Sequence, residues 1–151
     1  MSKAKGKAAA VEEAPVVVEI VRGNGEFTLS DGSTYIGDYK IVSDVKVRSG
    51  KGTWTFGPER YEGEWENDQM NGHGEYNFSS GAVYRGNFKD NLFNGEGEYI
   101  YPDGAFYRGS WSANKMHGKG TYIDAQKMEF NGDFVNGIYS TGSSFRAQKS
   151  G

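Results

Sequence analysis

A five-residue block recurs through this chain every 23 residues. It reads Tyr61-Glu62-Gly63-Glu64-Trp65, Tyr84-Arg85-Gly86-Asn87-Phe88, Tyr107-Arg108-Gly109-Ser110-Trp111 and Phe130-Asn131-Gly132-Asp133-Phe134. A second block keeps the same step: Gly72-His73-Gly74-Glu75-Tyr76, Gly95-Glu96-Gly97-Glu98-Tyr99 and Gly118-Lys119-Gly120-Thr121-Tyr122. The gap between the two is constant, nine residues from Gly63 to Gly72, Gly86 to Gly95 and Gly109 to Gly118. A fixed period of this length marks stacked units, none of which buries its apolar face alone.

The flanks carry weaker copies. Tyr35-Ile36-Gly37-Asp38-Tyr39 and Gly50-Lys51-Gly52-Thr53-Trp54 form an earlier unit, lengthened by four residues through Ile41–Val47. Gly23-Asn24-Gly25-Glu26-Phe27 is a second block with no first block before it. The organisation expected is a repeat domain over 16–139. It comprises a half repeat at 23–34, full repeats starting at 35, 61, 84 and 107, and a half repeat at 130–139. Residues 1–15, a Lys/Ala/Glu segment with little to bury, are expected to be disordered, and 140–151 to be a polar tail. Val16–Val21 has strand propensity and is expected to cap the open edge of the sheet, or to pair with a partner.

The residue types point to strands. Glycine is 23 of 151 residues and aromatics are 15%, a combination suited to turns, close backbone approach and pleated sheet. Period-2 alternation puts Tyr84, Gly86 and Phe88 on one face, with Arg85 and Asn87 on the other. The central glycine leaves bare backbone on which a neighbouring ring can lie. Asp31-Gly32, Ser80-Gly81 and Asp103-Gly104 read as hairpin turns. For Phe78 and Tyr84 to share a face, the Ser80-Gly81 loop must have odd length or a bulge. Gly57-Pro58 and Ala125-Gln126-Lys127 depart from that pattern, and their turns are expected to differ. The fold class is all-β: a single-layer, twisted antiparallel meander of stacked β-hairpins. A single layer leaves one face poorly covered, so an open aromatic groove is expected.

The pattern Tyr-x-Gly-x-(Trp/Phe) followed by Asn-Gly-x-Gly-x-(Tyr/Trp) resembles the MORN (membrane occupation and recognition nexus) repeat over roughly residues 23–137. The resemblance implies an interaction module without catalysis. Small proteins made almost wholly of such repeats are similar to components of the ciliary and flagellar axoneme, especially radial-spoke heads, where they dimerise or pack against other structural proteins.

Little in the chain argues for chemistry. The absence of Cys removes disulfides, thiolate zinc sites and thiol catalysis. His73 and His117 occupy different phases of the repeat, so no metal or His-based catalytic site is expected. Gly95-Glu96-Gly97 lacks the Lys-Ser/Thr of a phosphate loop. Neither catalytic residues nor a cofactor are expected. Residues 23–139 carry 11 Lys plus Arg against 17 Asp plus Glu, a net of −6, which disfavours nucleic acid and anionic lipid as partners. The N-terminus lacks the apolar stretch of a secretory signal, so an intracellular protein is expected.

The reading is therefore a non-enzymatic scaffold, placed by the resemblance in the cytoskeleton of a cilium or flagellum. Tyr61, Trp65, Tyr84, Phe88, Tyr107 and Trp111 are the expected anchors for a protein partner, a second copy included, since rings bury much area at small entropic cost. The Ile41–Val47 insertion is a further candidate contact. The alternative is a membrane-cortex linker that reads anionic phospholipid.

Overall fold

The computed structural model describes residue 6, residues 8–15 and residues 19–140. It contains eleven strands: β1 (Val21–Thr28), β2 (Thr34–Val42), β3 (Val45–Phe56), β4 (Glu59–Glu66), β5 (Gln69–Asn77), β6 (Val83–Lys89), β7 (Leu92–Ile100), β8 (Phe106–Ser112), β9 (Lys115–Ile123), β10 (Glu129–Val135) and β11 (Ile138–Tyr139). They form one antiparallel sheet in sequence order. Residues 8–15 are exposed and carry no strand. Residues 16–18 of the apolar run 16–21, residues 1–5 and 7 of the N-terminal tail, and the C-terminal tail from 141 lie outside the described residues.

Two kinds of turn alternate. At one end, three-residue loops close the hairpins between units. Phe78 N–H donates to Ala82 O (2.9 Å) and Gly81 N–H to Phe78 O (3.0 Å), so Tyr76 pairs with Tyr84 and both rings share a face. The odd loop demanded by parity is present. Gly57-Pro58 does differ: the linker from Trp54 to Tyr61 is one residue shorter than that from Tyr76 to Tyr84. A two-residue turn, with Gly57 at φ +56°, absorbs the deletion and keeps Trp54 paired with Tyr61. The expectation for 125–127 needs correction. Asp124 and Met128 close the same three-residue loop as elsewhere, and Lys127 takes the glycine's place at φ +72°. Here the register of the flanking strands outweighs the local preference of the turn residue.

At the other end, two-residue hairpins lie within units, at Ser43-Asp44, Asn67-Asp68, Asp90-Asn91, Ala113-Asn114 and Asn136-Gly137. Both central residues have positive φ in each, the type I′ geometry that matches strand twist. These turns also stitch successive hairpins together. Asn91 N–H donates to Met70 O (3.1 Å), while its Oδ1 accepts Met70 N–H (2.9 Å). Asp68 makes the same reciprocal pair with Arg48, and Asn114 with Phe93.

One glycine from each of the ten long strands lies in a continuous row across the sheet: Gly25, Gly37, Gly52, Gly63, Gly74, Gly86, Gly97, Gly109, Gly120 and Gly132, each paired to the next. From Gly37 to Gly120, a Cβ built on any of them lies under 3.0 Å from a paired backbone or a tyrosine ring. At this row the pairing slips: Gly63 faces Gly74, but Trp65 faces Met70. The strand bends there. Tyr61 and Trp65 are four residues apart, about 13 Å along a straight strand, yet their ring centroids are 5.0 Å apart.

That bend overturns the expectation of an open aromatic groove. Tyr61, Tyr84 and Tyr107 are 0% exposed, and Trp65, Phe88 and Trp111 are 6%, 3% and 4% exposed. The two halves of each strand fold toward one another around the rings, so a single sheet encloses its own core. The longer first full hairpin carries its extra residues to a tip at Ser43-Asp44, with Val42 and Val45 exposed.

Candidate interaction surface

The six rings named from the sequence do come together, as parts of one zipper. Edge-to-face contacts run Tyr35–Trp65–Tyr61–Phe88–Tyr84–Trp111–Tyr107–Phe134, with centroids 4.9–5.5 Å apart and planes near perpendicular. This is the geometry that the ring quadrupole favours. Each tyrosine hydroxyl donates to the carbonyl three residues on: Tyr35 to Asp38 (2.6 Å), Tyr61 to Glu64 (2.8 Å), Tyr84 to Asn87 (2.8 Å) and Tyr107 to Ser110 (2.9 Å). The indole N–H groups of Trp65 and Trp111 donate to Gly52 O and Gly97 O, both at 3.1 Å. Burial pushes the Tyr35 and Tyr107 hydroxyls up to about 12, and raises those of Tyr61 and Tyr84 as well. Every polar atom of these rings is satisfied internally. As placed, the six are core residues that shape the sheet, and Trp65 also edges an opening of about 210 Å³ beside Trp54, Met70 and Tyr76.

The larger openings lie on the opposite face. Above the glycine row it forms an open trough of about 800 Å³, walled by Lys51, Glu64 and His73 on one side and Thr53, Glu62, Glu75 and Arg85 on the other. A second opening of about 460 Å³ continues it past Glu96, Arg108 and Lys119. The walls are held by short polar contacts. Glu64 Oε2 accepts His73 N–H (2.6 Å), and Asp38 Oδ2 accepts Lys51 N–H (3.0 Å). The Asn24 amide and the Lys51 N–H hold the Asp38 carboxyl below the usual carboxylate range; Arg85, 2.7 Å away, does the same for Glu75. Such exposed ion pairs contribute little to stability, so they dress the surface more than they hold the sheet.

One feature of this face was missed by the sequence reading. Val83, Ile100, Phe106 and Ile123 are successive cross-strand neighbours on β6 to β9, an apolar stripe on the side away from the zipper. The signal was available: Val83 and Phe106 are 23 residues apart, as are Ile100 and Ile123. Among the described residues, no group of three or more His, Cys, Asp or Glu side chains is placed to hold a metal ion.

Compared with known families, residues 61–83, 84–106 and 107–127 match the MORN repeat. Residues 61–127 are MORN repeats. The search of curated proteins found no match to the chain. MORN repeats are a non-catalytic module that in general engages proteins or membranes. The three matched repeats are those whose two blocks keep the nine-residue gap. The unit starting at Tyr35 shares their devices: the Tyr35 hydroxyl bonds Asp38 O, and Gly37 faces Gly52.

Proposed function

We propose that this MORN protein is a non-enzymatic scaffold that assembles with other structural proteins through the outer face of its sheet. The observation that carries this reading is the closed zipper. With the rings consumed as core, the chain becomes a stiff ribbon whose free face offers a polar trough beside the Val83–Ile100–Phe106–Ile123 stripe. An apolar strip bordered by Arg85, Glu98 and Arg108 has the composition of a protein contact, apolar at its centre and charged at its rim. The net of −6 over residues 23–139 weighs against an anionic membrane as the main partner.

The setting we propose is the axoneme of a cilium or flagellum, in a radial-spoke-like complex. Its support is the resemblance of small chains built almost wholly of MORN repeats to such components. The test pairs fractionation with lipid binding. A tagged copy in a ciliated cell should stay with the salt-stable, detergent-resistant axoneme, and Phe106→Glu should release it without lowering thermal stability. Sedimentation with anionic vesicles that fades as salt is added would overturn the proposal in favour of a phospholipid-reading cortex linker.

A further inference from the structure

The glycine row has one open rung. A Cβ on Gly25 meets nothing nearer than Tyr39 Cε1, at 3.7 Å, an ordinary contact; the nine other rungs have no such room. Gly25 is the second glycine of its Gly-x-Gly block, the place held elsewhere by Gly52, Gly74, Gly97 and Gly120. Each of those four lies against a tyrosine ring from the strand before it: Tyr35, Tyr61, Tyr84 and Tyr107 respectively. Among the described residues no strand precedes β1, so this seat for a ring is open at the sheet's edge.

The far end carries the complementary half. Phe130-Asn131-Gly132-Asp133-Phe134 on β10 is a first block in register, with Phe130 in the tyrosine's place. Its own second block is not formed among the described residues. β11 supplies only Phe134↔Tyr139 and Val135↔Ile138, the counterparts of Trp65↔Met70 and Glu66↔Gln69. Beyond them the Tyr139 ring leans on Gly132, 2.9 Å from where a Cβ would sit, and its hydroxyl donates to Asn131 O at 2.5 Å.

We infer that this chain self-associates head to tail, β10 of one copy adding to β1 of the next. The join pairs Gly132 with Gly25, Asn131 with Glu26 and Phe130 with Phe27, the register in which Gly63, Glu62 and Tyr61 meet Gly74, Glu75 and Tyr76. It lays Phe130 on Gly25 and completes a repeat from two halves. The Asp133 carboxylate then stands where Asp38 accepts Lys51 N–H and Glu64 accepts His73 N–H, facing the Asn24 N–H. Tyr139 holds the place of Met70 and Met116, so β11 stays while its ring swings aside. Such a contact is heterologous, so each added copy brings a free edge for the next. Ten strands at about 4.8 Å add roughly 48 Å per copy. The inference extends the scaffold reading but fails separately from it, since a strictly monomeric chain still offers its outer face to other proteins.

The test is sedimentation of the full chain from micromolar to millimolar concentration. The expected result is a mass that climbs beyond the dimer in steps of 16.6 kDa. Gly25→Ala, whose Cβ has room in the monomer, should abolish the climb with melting temperature unchanged. Tyr139→Met, which installs the side chain that two of the three internal units carry there, should tighten association at least tenfold. A monomer throughout, for both the wild type and Tyr139→Met, would overturn the inference. So would association that stops at a dimer, or that Gly25→Ala leaves intact.

Discussion

Gly97→Ala is the perturbation that probes the glycine row most sharply. A Cβ at this position falls within 2.7 Å of Cε2 of the Tyr84 ring, and nearer still to its hydroxyl. The ring has no room to retreat. Phe93 stacks on it at 3.9 Å, and Phe88 and Trp111 abut it edge-on at 5.0 and 5.4 Å. Overpacking a filled core costs about 1–3 kcal/mol. Displacing the ring also breaks the Tyr84–Asn87 hydrogen bond, worth roughly 1 kcal/mol more. The expected loss is about 2–4 kcal/mol, read as a shifted urea midpoint. A double-mutant cycle isolates the cause. Tyr84→Ala alone should cost about 3–5 kcal/mol through its cavity. With the ring gone, adding Gly97→Ala should cost almost nothing, since alanine suits a strand at least as well as glycine. Additive losses would refute the claim that this glycine is required by the ring.

Three further expectations follow from particular groups. The Tyr101 hydroxyl is buried without a hydrogen-bond partner among the described residues; Tyr101→Phe should raise stability by about 1–2 kcal/mol, and a lowered melting temperature would contradict this. Lys127 sits at φ +72° where the matching loops carry glycine; Lys127→Gly should stabilise by about 1 kcal/mol in thermal melts, and a loss would count against the strain. Alkali should unfold the protein cooperatively. Above pH 10 the unfolded chain releases tyrosine protons that Tyr35 and Tyr107, pushed up to about 12, retain when folded, as do Tyr61 and Tyr84. Stability therefore falls as pH rises, by about 5 kcal/mol per pH unit for four such groups. Tyrosinate absorbance should appear together with loss of the fold; ionisation near pH 10 within an intact sheet would contradict it.

The path of the chain was legible from the 23-residue step, because each block maps to one strand and each Gly-containing loop to one turn. The glycines' purpose was legible too, since bare backbone between two aromatic positions has few other uses. The within-unit hairpins were not recognised. Their signal, Asn/Asp at positions 67–68, 90–91 and 114, recurs at the same step, but it was overshadowed by the glycine turns. Burial of the rings lay beyond period-2 reasoning, which treats a strand as straight. Only the slip in register at Gly63, Gly86 and Gly109 reveals that each strand folds over its own rings. Once Trp65 and Trp111 are core, the larger openings lie on the opposite face, where the 23-residue step from Val83 to Phe106 and from Ile100 to Ile123 was the available signal.

Collisional quenching of tryptophan fluorescence tests the central claim most directly. In a Trp54→Phe background only Trp65 and Trp111 report, at 6% and 4% exposure. The zipper predicts blue-shifted emission and strong protection from acrylamide until the sheet unfolds. Quenching at the rate of free tryptophan in the native protein would mean that the rings line an open groove, and would contradict the account.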